Sequence, residues 1–226
     1  IPSVLKIAGP GNIYVTLAKR LVSSVCDIDK EAGPSEVVVI ADEKANPREV
    51  ALELLAQAEH DEDARAMLVV LSEQFYDKVA QAIDEEVRTL PRATIIRKAL
   101  DKNGEVYVVR NLDEAARLTN VIAPEHLSIQ TENPRAVFDQ IENVGCAVLG
   151  GGTSVAVGDY NAGPNHILPT GRKARFSSPL TAEDFRKVTS IISFSRERMA
   201  SVADDIMALA NAEQLQAHAR AVEIRR

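Results

Sequence analysis

Tryptophan is absent from this chain, and aromatic residues together make up only 4% of it. Surfaces that stack on sugars or on unpaired bases need such rings, so a carbohydrate or single-strand platform is disfavoured. Cysteine occurs only at Cys26 and Cys146, far apart and without a CxxC pair. That usage makes a reducing cytoplasm the expected compartment. Lys and Arg form no basic block and the formal charge is −7, so no nucleic-acid partner is expected. No apolar run approaches the roughly 20 residues of a membrane helix, so no membrane partner is expected either. Internal repeats and low-complexity tracts are missing. The chain opens on Ile-Pro and runs straight into the apolar stretch VLKIAG, so no signal peptide is expected. A fold that starts in the middle of a strand is expected to have further sequence upstream.

What remains is an ordinary globular composition: 226 residues, 46% apolar and 26% charged, with ample length for a core. The pattern alternates strand and helix. VLKIAG reads as a strand, GPGN as a turn, and IYVTLAKRLVSSV as an amphipathic helix. EVVVIAD, at 36–42, is a β-branched apolar run of the kind buried on both sheet faces. Asn46-Pro47-x-Glu49 combines an N-cap, a Pro at the first helical position and a Glu in the first turn, and starts a helix running to about His60. MLVVLS reads as a strand and EQFYDKVAQAIDEEVRTL as a helix. TIIRKAL and EVYVVRN read as strands, LDEAARLTNVI as a helix, HLSIQT as a strand, PRAVFDQIENV as a helix and GCAVLGG as a strand. This succession predicts parallel βαβ units in a doubly wound α/β sheet. From Gly150 to about residue 180 the chain is rich in Gly, Pro, Asn and Ser, and so long a loop is expected to be functional. The strand-like VTSIISFS and a helical tail follow.

The four histidines organise the chemistry. His60 follows Glu59 in QAEH, His126 follows Glu125 in APEH, His166 lies in GPNH and His218 lies in the tail. A lone histidine is more often a satisfied surface or core residue than a functional one. Here none falls within a strand interior. Three sit at element ends or in a loop, on the rim where α/β folds place their sites. Gln57 and His60, spaced i, i+3, share a helical face. His60 with Asp159 and one more histidine offers an N/O donor set that suits zinc, although a solvated helix end accounts equally well for the spacing. GPGN reads either as an anion-binding helix start or as a tight turn, and as a dinucleotide fingerprint it is incomplete, because Tyr14 stands where the third Gly belongs. Cys146, in an apolar strand, reads as a core residue.

GPGN, AGPSEVVVIAD, LLAQAEHD, APEHL, GDYNAGPNHILPT, ARFSSPL and AHARAVEIR occur in this order along the whole chain. Together they resemble the histidinol dehydrogenase family, in its C-terminal half. The resemblance implies an aldehyde-dehydrogenase-like, Rossmann-like fold and a cytoplasmic enzyme. Its reaction would be the zinc-dependent oxidation of L-histidinol to L-histidine through L-histidinal with two NAD, the last step of histidine biosynthesis. It further implies zinc on Gln57, His60, Asp159 and His218, and an acid/base pair in Glu125 and His126. Substrate contacts would come from Ser35, Gln57, His60, His126, Asp159, His166 and Glu213, and an NAD contact from Asn12. A homodimer is implied, with His218 reaching the partner's site. In this scheme 1–30 ends a cofactor-binding domain, 31–150 is an α/β domain, 151–180 an active-site loop region and 181–226 a helical dimerisation tail. At Ser154-Val155 the sequence departs from the Pro-Glu of many family members. That departure keeps open a paralogue acting on another small polar alcohol. The half-length match keeps open a truncated, non-catalytic zinc-binding dimerisation module.

Overall fold

The computed structural model describes residues 2–9, 11–31 and 33–226; Ile1, Pro10 of GPGN and Ala32 of AGPSE lie outside the described residues. The chain divides into two compact units, Ile1–Phe185 and Arg186–Arg226.

The first unit is built on a five-stranded parallel sheet in the order β5-β4-β3-β6-β7. Its strands are β3 (Glu36–Ala41), β4 (Arg65–Val70), β5 (Gly104–Val108), β6 (His126–Gln130) and β7 (Cys146–Leu149). β3 is central and buried along its whole length, as its unbroken β-branched run requires. Its alternate side chains divide between two cores. Val37, Val39 and Ala41 face α2 (Pro47–Ala58) and α3 (Glu73–Val87) on one side. Val38 and Ile40 pack on the other side with residues of α5 (Leu112–Ile122) and α6 (Pro134–Phe138). Helices on both faces of a parallel sheet make this a doubly wound α/β unit. Before it, β1 (Lys6–Ile7) pairs in parallel with β2 (Asp27–Ile28) around α1 (Ile13–Val22). A buried ion pair, Lys19 Nζ to Asp29 Oδ1 at 2.7 Å, ties α1 to the segment after β2.

TIIRKAL is not a strand but part of α4 (Ala93–Asn103). Only Ile96 and Ala99 of that helix are fully buried, three residues apart, so the helical period outweighs the β-branched Thr-Ile-Ile start. VTSIISFS also forms no strand among the described residues, and Val188, Ile191 and Ile192 stand exposed. VLKIAG contributes only two strand residues. PRAVFDQIENV yields a five-residue helix, α6. The Gly-rich segment contains the short helix α7 (Val155–Tyr160). The second unit is a pair of helices, α8 (Arg196–Ala212) and α9 (Gln216–Glu223), joined through Gln214 in the left-handed region.

Candidate active site

A cavity of about 350 Å³ is lined by Ser35, Gln57, His60, Glu125, His126, Asp159, Tyr160 and His166. Four segments distant in sequence meet there. Ser35 precedes β3. Gln57 occupies the last turn of α2, and His60 follows its cap Glu59, with the His60 N–H donating to the Gln57 carbonyl at 3.2 Å. Glu125 and His126 open β6, and Asp159 and Tyr160 close α7. The expected rim is therefore corrected. Ser35, Glu125 and His126 stand at the amino ends of the strands, whereas doubly wound sheets usually bind ligands at the carboxyl ends.

Local sequence accounts for each placement. Asn46 caps α2 by accepting the Arg48 N–H at 3.0 Å, and Pro47 sets the first turn, which fixes the phase of the helix as far as Gln57. α5 stops at Ala123, held left-handed at φ 51°, and Pro124 keeps the chain from continuing as helix. The chain thus enters β6 directly at Glu125-His126. Gly145 allows the preceding loop to close on this pair, since a Cβ there would lie 2.6 Å from the Glu125 carbonyl oxygen. α7 is fixed by Glu53, a buried carboxylate of α2 that accepts the Val155 N–H at 3.1 Å.

The centre of the site is short of hydrogen-bond partners. Gln57 is only 4% exposed, and its Nε2 has none. His126 is 7% exposed, with Nδ1 unpartnered at 3.6 Å from Glu125 Oε2 and Nε2 at 3.8 Å from Asp159 Oδ1. Buried polar atoms without partners are uncommon, and here they point to groups that receive a ligand. Burial pushes the His126 imidazole below the ordinary histidine value, with Asp159 opposing the shift. Burial pushes the Glu125 carboxyl up to about 8, with the charges of Glu36 and Asp159 adding to the rise and the Glu36 N–H opposing it. The site thus holds a neutral imidazole next to a carboxyl that titrates near working pH.

Seven of the ten expected residues line this one cavity. His218, on α9, and Glu213, which caps α8, belong to the second unit and are exposed there. Asn12 is the N-cap of α1; its Oδ1 accepts from Tyr14 and Val15 N–H at 3.0 and 3.2 Å, which leaves Nδ2 outside the cap. Among the described residues, no three His, Cys, Asp or Glu side chains form a ready metal cluster. Tyr160, 86% exposed at the mouth, was not anticipated, although it directly follows Asp159 in the GDY motif. Glu36, Glu53 and Arg65 were also missed, because their roles depend on strand and helix neighbours far away in sequence. Cys146 is only half-buried, since β7 is an edge strand. Its thiol is raised by burial and by Asp159, so it remains protonated.

A buried Glu-His pair in a polar cavity, carried by an α/β sheet, offers the groups that proton transfer requires. The family model of histidinol dehydrogenase matches residues 1–226. A histidinol dehydrogenase of Halalkalibacterium halodurans is 51% identical over 225 residues, covering 100% of this chain and 53% of that protein. The crystal structure of histidinol dehydrogenase from Elizabethkingia anophelis superposes with a TM-score of 0.95 at 36% identity, covering 100% of this chain and 52% of that one. An acetylating aldehyde dehydrogenase from Geobacillus thermoglucosidasius, at 15% identity and a TM-score of 0.51 over 84% of this chain and 58% of its own, shares the fold. The chain belongs to the histidinol dehydrogenase family, and it spans about half the length of the curated relatives it matches. None of its described helices is long and apolar enough to cross a membrane.

Proposed function

We propose that this chain carries the substrate-binding and acid/base half of a histidinol dehydrogenase, which oxidises L-histidinol to L-histidine in two NAD-dependent steps. The observation that carries the reading is the meeting of Glu125, His126, Gln57, His60 and Asp159 in one cavity. Gln57, His60 and Asp159 fit a zinc ion. They are N/O donors, and the buried Gln57 amide has an unpartnered end, its oxygen and nitrogen being interchangeable by a flip. In this reading His218 completes the set from a partner subunit. Zinc, when bound, supplies a fixed positive charge that holds the amino alcohol by its nitrogens. NAD supplies the hydride acceptor, and Asn12 can offer it only a side-chain N–H contact, because Oδ1 is engaged in the cap.

In the first oxidation the substrate hydroxyl gives its proton to the neutral His126 imidazole as the carbinol hydrogen leaves as hydride. Burial keeps that imidazole unprotonated and ready. In the second, water adds to the aldehyde and loses a proton to the Glu125 carboxylate. Loss of the second hydride to NAD then gives the carboxylic acid, and loss of the remaining hydroxyl proton gives its carboxylate. A carboxylate whose conjugate acid titrates near 8 is a far stronger base toward water than an ordinary one. Ser35 and His166, which both line the cavity, bind the polar ends of the substrate. Val155 packs against the sheet core and brings no charge to the site. NADH formation should therefore be followed with L-histidinol and with simpler amino alcohols, using a chain that includes the upstream half. Absence of histidinol turnover by folded, zinc-loaded protein would remove the assignment, and turnover of another alcohol instead would favour the paralogue.

A further inference from the structure

Glu36 follows Ser35 and opens β3. β3 and β6 pair in parallel with Val37 opposite His126, so the register sets Glu36 beside Glu125. The Glu36 N–H donates to Glu125 Oε2 at 2.9 Å. Its own carboxylate is 2% exposed. Oε1 accepts the N–H of Gly171 at 2.9 Å, and Oε2 lies 3.5 Å from Arg65 Nη1. Arg65 in turn bonds Glu105 Oε1 at 2.7 Å. Gly171, at φ 61°, ends the run that begins at His166, so the Glu36 carboxylate also anchors the loop forming one wall of the cavity.

We propose that Glu36 is a positioning residue for the acid/base chemistry: its backbone N–H fixes Glu125 while its buried carboxylate clamps the His166 loop and holds a negative charge behind Glu125. This rests on Glu125 being the base of the reaction proposed above. The carboxylate is stationed where one charge opposes another. Glu125 faces Glu36 from β3, with Arg65 of β4 behind it, Asp159 from α7 and His126 from its own strand; His60 follows α2. Of these, Glu36 is the one built into the strand whose N–H holds Glu125. Its charge keeps the Glu125 proton bound and makes the ionised form more basic.

Neighbours across the β3–β6 register, with the charge of Glu36 raising Glu125, the two carboxyls titrate as a pair. Carboxyl-carbon NMR resolves both in the chain as it stands, with no substrate and no activity required. In the wild-type protein each of the two resonances should show both titration steps. In Glu36→Gln, which keeps the size and the acceptor for Gly171, the Glu125 midpoint should fall by roughly one pH unit. In Glu36→Asp, which keeps the charge on a shorter stem, the midpoint should stay near the wild-type value while amide exchange at Gly171 speeds up. A Glu125 midpoint unmoved in Glu36→Gln would reduce Glu36 to a structural strut and overturn the proposal. If that variant does not fold, independent single-step titrations of the two carboxyls in the wild type would overturn it equally. Failure of wild-type histidinol turnover would remove the proposed reaction and leave the coupling measurement intact, so the two failures are distinguishable.

Discussion

The carboxylate of Glu53, buried within α2, accepts the backbone N–H of Val155, the first residue of α7, at 3.1 Å. Through this bond the helix that presents Gln57 also holds the helix that presents Asp159. Glu53→Ala removes the acceptor and leaves a part-buried N–H unpaired, which costs about 1–3 kcal/mol. The expected result is a fall in the denaturant midpoint together with faster hydrogen exchange over residues 153–160. Exchange unchanged in that segment would show that α7 is held by packing alone.

Glu125→Gln should stabilise the protein at alkaline pH. The folded carboxyl titrates at about 8 against 4.5 for an ordinary one. Between those values the folded state keeps a proton that the unfolded chain has released, so wild-type stability falls as pH rises through this window. The glutamine has no proton to keep and can still accept the Glu36 N–H. The variant should match wild type below pH 4.5 and exceed it at pH 8, by on the order of a few kcal/mol. Urea unfolding at the two pH values checks this; a constant difference would contradict the raised titration.

Removing metal ligands should be legible without catalysis. Gln57→Ala, His60→Asn and Asp159→Asn should each lower bound zinc measured by equilibrium dialysis, by 10-fold or more in affinity. Zinc loading of the wild type should lower the Glu125 midpoint, because a cation in the shared cavity favours the carboxylate. His218→Asn should reduce zinc content and weaken dimerisation together. Unchanged zinc stoichiometry and unchanged dimerisation in that variant would remove the four-ligand scheme.

Much of the fold is legible in the sequence where one local signal dominates. The β-branched run at 36–41 could only be a buried strand, and Asn46-Pro47 could only begin a helix. Signals that compete locally misled. Thr94-Ile95-Ile96 looks like a strand, yet the apolar spacing of Ile96 and Ala99 places it on a helix. The strand-like 188–195 forms no ladder, because a β-rich segment becomes a strand only where another strand accepts it. The site divides in the same way. Residues in motifs, from Gln57 to His166, could be named in advance. Glu36 could not, because its contact with Glu125 spans 89 positions of sequence and exists only through the β3–β6 register. The side of the sheet was equally hidden, since motif order does not reveal that the cavity opens at the amino ends of the strands.

The acid/base assignment separates by step. His126→Asn should slow the first oxidation by about 10²–10⁴-fold, the range expected for loss of a positioned general base. Glu125→Gln should retain more of the first oxidation and lose the second, so that histidinal accumulates. Rapid-quench analysis of the products distinguishes the two variants, and an identical loss of both steps in each would contradict separate roles.

In the proposed reaction this one cavity carries an alcohol all the way to an acid. Its most direct test is the ratio of NADH formed to histidine formed, measured with L-histidinol and zinc-loaded protein that includes the upstream half. Two NADH per histidine, with no aldehyde released, are expected. One NADH per histidinol with the aldehyde left in solution, or no NADH at all, would contradict it.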